Sequence, residues 1–458
     1  MLTTLSFFAE KSVYFLIDEV ARDSIVAAGL KVELARDKIH LEYGNRRDSA
    51  ILVAGGHLDA YDAYVVPSLD VFRSVFPDPG CIDRPIVILP TESIGGKHEH
   101  ISRTAAKFLG AFPEENRPWF DKVSLFCIWG DNHRRVFTEY APELAEKVFL
   151  VGHPRMDRRC LIRPSREAAK DQRKTVGFMT RFSTFNDFAG RPTFLQIFNG
   201  RKRYYVGEDK IPLRYLYDMD KDIEDILYKD IGDFRLMVDL IYYLAWRGIR
   251  AKVRVHPREN RLEWQRLIDE LGLPAELSPW DEPFSRWLGS VDSVVSPAST
   301  GFYDCFVAGV RPICTNELLP YRKDHLFSGD VDTGEMLNHV YLPKSFEELA
   351  ELVLSDAAEE ADIAMSSELE QLLKFETGYP DCYRSHALLR DAVVSALATG
   401  SKRKSGKQTR AIFQAKSYLV NLALQLLRSQ EQGSSFYLTS ARKRWIDRLV
   451  DQANPTIS

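Results

Sequence analysis

The sequence has no run approaching the ~20 apolar residues that a membrane span requires. Residues Met1 to Glu10 also lack the basic start and sustained apolar core of a secretion signal. Six cysteines (Cys81, Cys127, Cys160, Cys305, Cys314, Cys382) are scattered, with no C-x-x-C pair and no zinc spacing. Most sit among apolar neighbours, which reads as buried free thiols of a reducing compartment rather than a disulfide frame. Net charge is slight, −4 over 458 residues, so the whole-chain balance gives no argument for nucleic acid. No Asp-x-Asp follows an apolar strand. Asp218 and Asp220 have that spacing but lie in the acidic stretch Tyr215–Asp225, which reads as solvated surface. These absences predict a soluble cytoplasmic protein with no metal site, no other cofactor and no nucleic-acid partner.

What is present is apolar and alternating. At 45% hydrophobic and 11% aromatic residues the chain can build packed cores, and its length exceeds one ordinary domain. Short apolar runs, separated by helix-length segments, read as strands at Ser12–Ile17, Lys31–Leu34, Ala50–Gly56, Ile86–Leu89, Val123–Gly130 and Val148–Gly152. After a basic stretch, Arg158–Lys174, a second series places strands at Thr175–Met179, Ala251–Val255, Ser293–Val295 and Arg311–Cys314. Helices are expected at Val20–Gly29, Phe234–Trp246, Arg261–Leu271 and Phe302–Gly309. The pattern predicts an α/β protein of two Rossmann-like lobes facing a cleft, with residues 1–165 as the first lobe and 175–340 as the second. Residues 345–397, with Ser345 as N-cap, are expected to be helices packing back on the lobes.

Residues 401–458 form a basic helical tail, eleven Lys or Arg against three acids, so it carries +8 and the rest of the chain −12. Such asymmetry fits contact with an anionic membrane surface, or a solvated helical appendage. Within it, Ile412, Ala415, Leu419, Leu422, Ala423 and Leu426 share one helical face.

Three polar islands end apolar runs: Val151–Asp157, Val255–Arg258 and Ser296–Gly301. Ligands of open α/β sheets bind outside the carboxyl ends of the strands. Pro257 restricts His256 to extended backbone, so its imidazole is placed to donate to a phosphate, with Arg258 adding positive potential. Ser296, Ser299, Thr300 and Gly301 precede an apolar helix, a suitable place for an anion, although one N-cap would use the same residue types. Arg181 and Asn186 belong to a loop after Thr175–Met179 that suits the donor side. In the first lobe Asp157 and Glu92 follow strands, and one can serve as nucleophile or stabiliser while the other is general acid/base. A helix cap for Asp157 and a solvated loop for Glu92 are the structural alternatives. Trp129, Asp131, His153 and Arg155 are candidates for the acceptor or sugar pocket.

These motifs resemble the bacterial surface-carbohydrate proteins related to the β-Kdo transferases of capsule and lipopolysaccharide assembly. The resemblance runs through Phe15–Arg47, Pro90–Gly95, Phe126–His133, Val151–Asp157, Thr180–Asn186, Val255–Pro257 and Ser296–Pro312. It implies a metal-independent, two-lobed glycosyltransferase of GT-B type with CMP-Kdo as donor. It further implies that His256 and Ser299–Thr300 hold the CMP phosphate, Asp157 is the nucleophile of a retaining transfer, and Glu92 is its acid/base partner. The expected partners are a CMP-sugar donor and a glycan or lipid-linked glycan acceptor, with the chain peripheral on the inner face of the cytoplasmic membrane. A polyol-phosphate transferase using CDP-glycerol or CDP-ribitol would share the His-Pro corner and hydroxyl cluster but not need the two acids. A non-catalytic glycan-binding scaffold on the same fold is the third reading.

Overall fold

The computed structural model describes residues 11–18, 20–76, 78–91, 105, 108–110, 113–157, 174–187, 213–318, 335–355, 366–399 and 409–417. They divide into two compact units, one within Met1–Ile162 and Ser367–Gln430 and the other within Arg163–Ser366. Of the basic stretch Arg158–Lys174 only Lys174 is described, and Glu92 lies outside the described residues.

The first unit is built on a six-stranded parallel sheet in the order β2-β1-β3-β4-β5-β6. Its strands are β1 (Lys11–Ile17), β2 (Ile39–Asn45), β3 (Ala63–Val66), β4 (Ile86–Ile88), β5 (Val123–Ile128) and β6 (Val148–Leu150). β1 shows why its sequence reads as an unbroken apolar run. Val13, Phe15 and Ile17 enter a core shared with helices Val20–Arg36 and Ser385–Thr399, while Tyr14 and Leu16 enter a second core on the other face. A parallel strand covered on both faces has no polar side to alternate with.

Two expected strands are helical. Lys31–Leu34 continues the helix Val20–Arg36, where Leu30 and Leu34 stack one turn apart in the core and Glu33 pairs with Arg36 at 2.8 Å. Gly29 reads as a stop but sits inside this helix, because a Cβ there would lie 2.3 Å from His386 Cε1 of the helix packed against it. Ala50–Gly56 is the end of the helix Arg46–Ala54. Gly56 takes φ +67°, and His57 N–H reaches back to Leu52 O at 2.9 Å, so the glycine pair closes a helix rather than a strand. The strands at these places are instead β2, an edge strand with alternating burial, and the four-residue β3.

The second unit carries a five-stranded parallel sheet in the order β11-β10-β7-β8-β9. The strands are β7 (Thr175–Met179), β8 (Arg250–Arg254), β9 (Glu276–Leu277), β10 (Ser293–Ser296) and β11 (Arg311–Cys314). The helix expected over Phe234–Trp246 extends over Leu213–Trp246, so Asp218 and Asp220 fall within a helix. Met237, Leu240, Ile241 and Leu244 face the core beside Val176, Phe178 and Val253. Ser345 caps the helix Phe346–Leu354 as expected: its Oγ accepts Glu348 N–H while Glu348 Oε2 accepts Lys344 N–H. No described helix is long and apolar enough to cross a membrane.

The described part of the basic tail, residues 409–417, is helical and lies on the first unit. The buried positions there are Phe413 and Ser417, whereas Ile412 and Ala415, on the face expected to pack, are exposed. Phe413 inserts edge-on between Tyr14 and Tyr61, at ring-centroid distances of 6.1 and 6.2 Å, and Ser417 Oγ donates to Asp48. An aromatic slot lined by tyrosines selects the ring over the branched aliphatic side chain. Phe413→Ala is expected to lower the stability of the first unit by about 3 kcal/mol, against under about 0.5 kcal/mol for Ile412→Ala, both read from denaturant midpoints.

Candidate functional site

In the second unit β7→β8→β9 runs to one side of β7, and the chain then crosses to β10 on the other side. This is the point in an open sheet where consecutive loops part and leave a crevice at the carboxyl ends of the strands. The loops after β8, β7 and β10, three adjacent strands, carry nearly all donor-side residues expected from the sequence. They are also joined to one another. His256 N–H donates to Thr180 Oγ1 at 2.8 Å, which ties the β8 loop to the β7 loop. Arg181 Nη1 donates to Ala298 O at 3.2 Å, and Ser296 Oγ to Met179 O at 3.2 Å, which tie β7 to β10. Asn186 Nδ2 donates to Asn260 O, and Asn260 N–H returns to Asn186 O at 3.0 Å.

The residue that organises these loops was not singled out in the sequence. Glu259 is 1% exposed. Its Oε1 accepts Thr180 Oγ1–H at 2.7 Å and Phe182 N–H at 2.8 Å, and its Oε2 accepts Trp264 Nε1–H at 2.9 Å. Thr180 thus donates to Glu259 while accepting from His256. A glutamate three residues beyond a strand-end histidine looks like loop surface in sequence, and only its donors show otherwise. Burial pushes its carboxyl up from 4.5 to about 7, the three hydrogen bonds pull it down, and Asp230 adds to the rise.

His256 is half-buried and Arg258 exposed. The imidazole Nδ1 accepts Arg258 N–H at 3.2 Å, which assigns the proton of the neutral ring to Nε2. Pro257 follows in the turn. Ser299 Oγ accepts Gly301 N–H at 3.2 Å, while Thr300, the N-cap of helix Gly301–Ala308, makes no side-chain capping bond. A Cβ at Gly301 would lie 3.1 Å from Met179 Sδ, a tight contact that the methionine would have to yield to. Ser296 is buried and committed to Met179 O, so it joins strands rather than lining the crevice.

The first-unit candidates sit deeper. Trp129 is fully buried, stacks on His153 at 3.9 Å, and donates from Nε1 to Pro90 O at 3.0 Å. His133, not foreseen as buried, accepts Trp129 N–H at 3.2 Å, and desolvation lowers it to about 3, so it stays neutral. His153 Nδ1 accepts Arg155 N–H at 3.1 Å. Asp157 is 3% exposed, and its Oδ2 accepts His386 N–H at 2.9 Å, at the start of helix Ser385–Thr399. Asp131 differs: it is exposed at the N-terminus of helix Asp131–Tyr140 and lies 3.6 Å from Arg134. Gly130, Gly152 and Gly378 permit the close packing here, because a Cβ on each would fall 2.3 Å from Phe375 O, Cys382 Cβ and Trp129 O, respectively. The structure therefore assembles Trp129, His133 and His153 as one buried stack under residues 375–386. Among the described residues no group of three His, Cys, Asp or Glu is placed to hold a metal.

No protein-family model matches the sequence, and no curated protein matches it. Solved structures do match by fold. The wall teichoic acid polymerase TagF, in a variant soaked with CDPG, aligns with a TM-score of 0.52 at 9% identity over 85% of this chain and 90% of that one. TagF without the soak gives 0.50 at 10% identity, covering 85% and 89%. The S. aureus MnaA–UDP structure covers 85% of this chain and 99% of its own, with a TM-score of 0.46 at 12% identity. The two parallel sheets with their surrounding helices are thus a two-lobe α/β fold of GT-B type.

The raised Glu259 carboxyl gives a signed pH dependence. A folded value above the unfolded one favours the protonated form on folding. Its stabilisation is full below 4.5 and is lost as pH rises through about 7. Glu259→Gln removes that titration, so its denaturation midpoint should fall less than the wild type's over this interval.

Proposed function

We propose that the chain is a transferase that takes a nucleotide-activated donor, with the donor phosphate held at the end of β8, β7 and β10, and delivers the activated group to a surface glycan or lipid-linked glycan. The observation that carries this reading is the topological switch point at β7/β10, where the loops after β8, β7 and β10 are hydrogen-bonded together. There His256 is fixed at its backbone by Thr180, and its Nδ1 accepts Arg258 N–H, so that Nε2 carries the proton of the neutral ring. An imidazole N–H, the Thr300 hydroxyl and Arg258 offer a phosphate charge-assisted and neutral donors at once. When a diphosphate or monophosphate leaves, these donors stabilise the charge that develops on it, which requires no metal.

A cytidine diphosphate donor of the glycerol or ribitol class is the form of donor we favour. It needs only the phosphate site, and in TagF, which has the same fold, the soaked ligand is CDPG. Attack on phosphorus would leave Asp157 as the group that anchors helix Ser385–Thr399, as its bond to His386 N–H supports. The second reading is transfer of Kdo or a related ulosonic acid from CMP, with Asp157 as nucleophile and Glu92 as acid/base. Its support is the Gly152–Asp157 element and half-buried Arg155 beside it.

Calorimetric titration of CMP, CDP, UDP and GDP tests the reading. A cytidine nucleotide should bind selectively, and His256→Ala should weaken it by about tenfold or more, the loss of one hydrogen bond to a charged group. CDP preference supports the polyol-phosphate donor and CMP preference the ulosonic acid. Binding of none of the four, by a folded protein, overturns the proposal. Asp157→Asn keeps an oxygen for His386 N–H, so it should retain transfer in the first reading and abolish it in the second.

A further inference from the structure

Over residues 227–246, helix Leu213–Trp246 packs against the core of the second unit on one face. The opposite face carries Tyr228, Ile231, Tyr242 and Trp246, which are 64, 42, 49 and 77% exposed. Arg235 and Asp239 lie between them and are also exposed. At about 100° per residue all six fall in one stripe about 80° wide and about 27 Å long. Two exposed apolar pairs flanking an Arg–Asp centre on one side of a helix whose other side is packed mark an interaction face.

The order of residues in the stripe identifies its occupant. Reflected through the level of residue 237, Tyr228 exchanges with Trp246, Ile231 with Tyr242, and Arg235 with Asp239. A face on which each residue exchanges with a complementary one is what a twofold interface requires, since residue i of one copy meets j of the other and j meets i. The near-heptad steps between these positions are those of helices packed side by side. A lipid surface fits less well, because Asp239 at the centre would be buried unpaired and would repel anionic headgroups. We propose that the protein self-associates through this face, with two copies of the helix antiparallel and Arg235 of each copy against Asp239 of the other.

The test is sedimentation of the full chain over a concentration series. A dimer is expected at about 10 μM, the range of a modest interface. Arg235→Glu alone and Asp239→Arg alone each place like charges across the axis and should weaken association by about tenfold or more. The double variant restores opposite charges in the same register and should recover the dimer. Trp246→Ala should weaken it as well. All three substituted positions are exposed, and circular dichroism melts verify that folding is unaffected. A wild-type monomer throughout the series overturns the proposal, as does a dimer indifferent to the single reversals or one the double variant does not rescue. A monomer whose binding to anionic vesicles depends on Trp246 overturns it in favour of a lipid surface.

Discussion

The carboxyl of Glu259 holds the segments that follow β7 and β8 in one arrangement. Taking a charged group out of water is costly unless donors replace the water, and Glu259 is supplied by Thr180, Phe182 and Trp264. Two of these donors come from the loop after β7 and one from the helix after β8, so the two buried oxygens cannot be satisfied unless both segments are in place. The backbone of His256 then follows through Thr180. A histidine on a strand-end loop is thereby tied at its backbone to the buried carboxyl beneath it.

The first unit reaches rigidity by close approach rather than by charge. Segments distant in sequence, residues 375–386 and the loops after β5 and β6, meet at glycines that leave no space for a side chain. Asp157 takes the first free N–H of helix Ser385–Thr399, and Ser385 Oγ donates to Gly152 O at 3.0 Å. The chain leaves the first unit, builds the second, and returns to cover the first sheet with that helix. Part of the first core is consequently supplied by residues near position 390, such as Leu389, Ala392 and Val393.

Fold and chemistry rest on different residues here. The parallel sheets follow from apolar runs buried on both faces, a property shared with proteins that act on quite different substrates. What distinguishes a donor site is the set of polar groups at the carboxyl ends of β7, β8 and β10. These few side chains contribute little to the cores that make the fold comparable to TagF.

Strands β1, β4, β5, β6, β7, β8, β10 and β11 are legible in the sequence because short apolar segments between helix-length stretches suit parallel strands buried on both faces. Edge strand β2, which alternates polar and apolar residues, and β3 are not, since the neighbouring runs Lys31–Leu34 and Ala50–Gly56 draw the reading away from them. Gly29 and Gly55–Gly56 mislead for a common reason: glycine marks a turn, a helix end or a close approach equally well, and only the neighbour decides which. The gathering of His256, Arg181 and Thr300 at one sheet end was readable from their strand-end positions. The part played by Glu259, the burial of Asp157 against His386 and the choice of Phe413 over Ile412 were decided by tertiary structure. Each depends on partners tens to hundreds of residues away or on the shape of a slot, and local sequence carries no record of either.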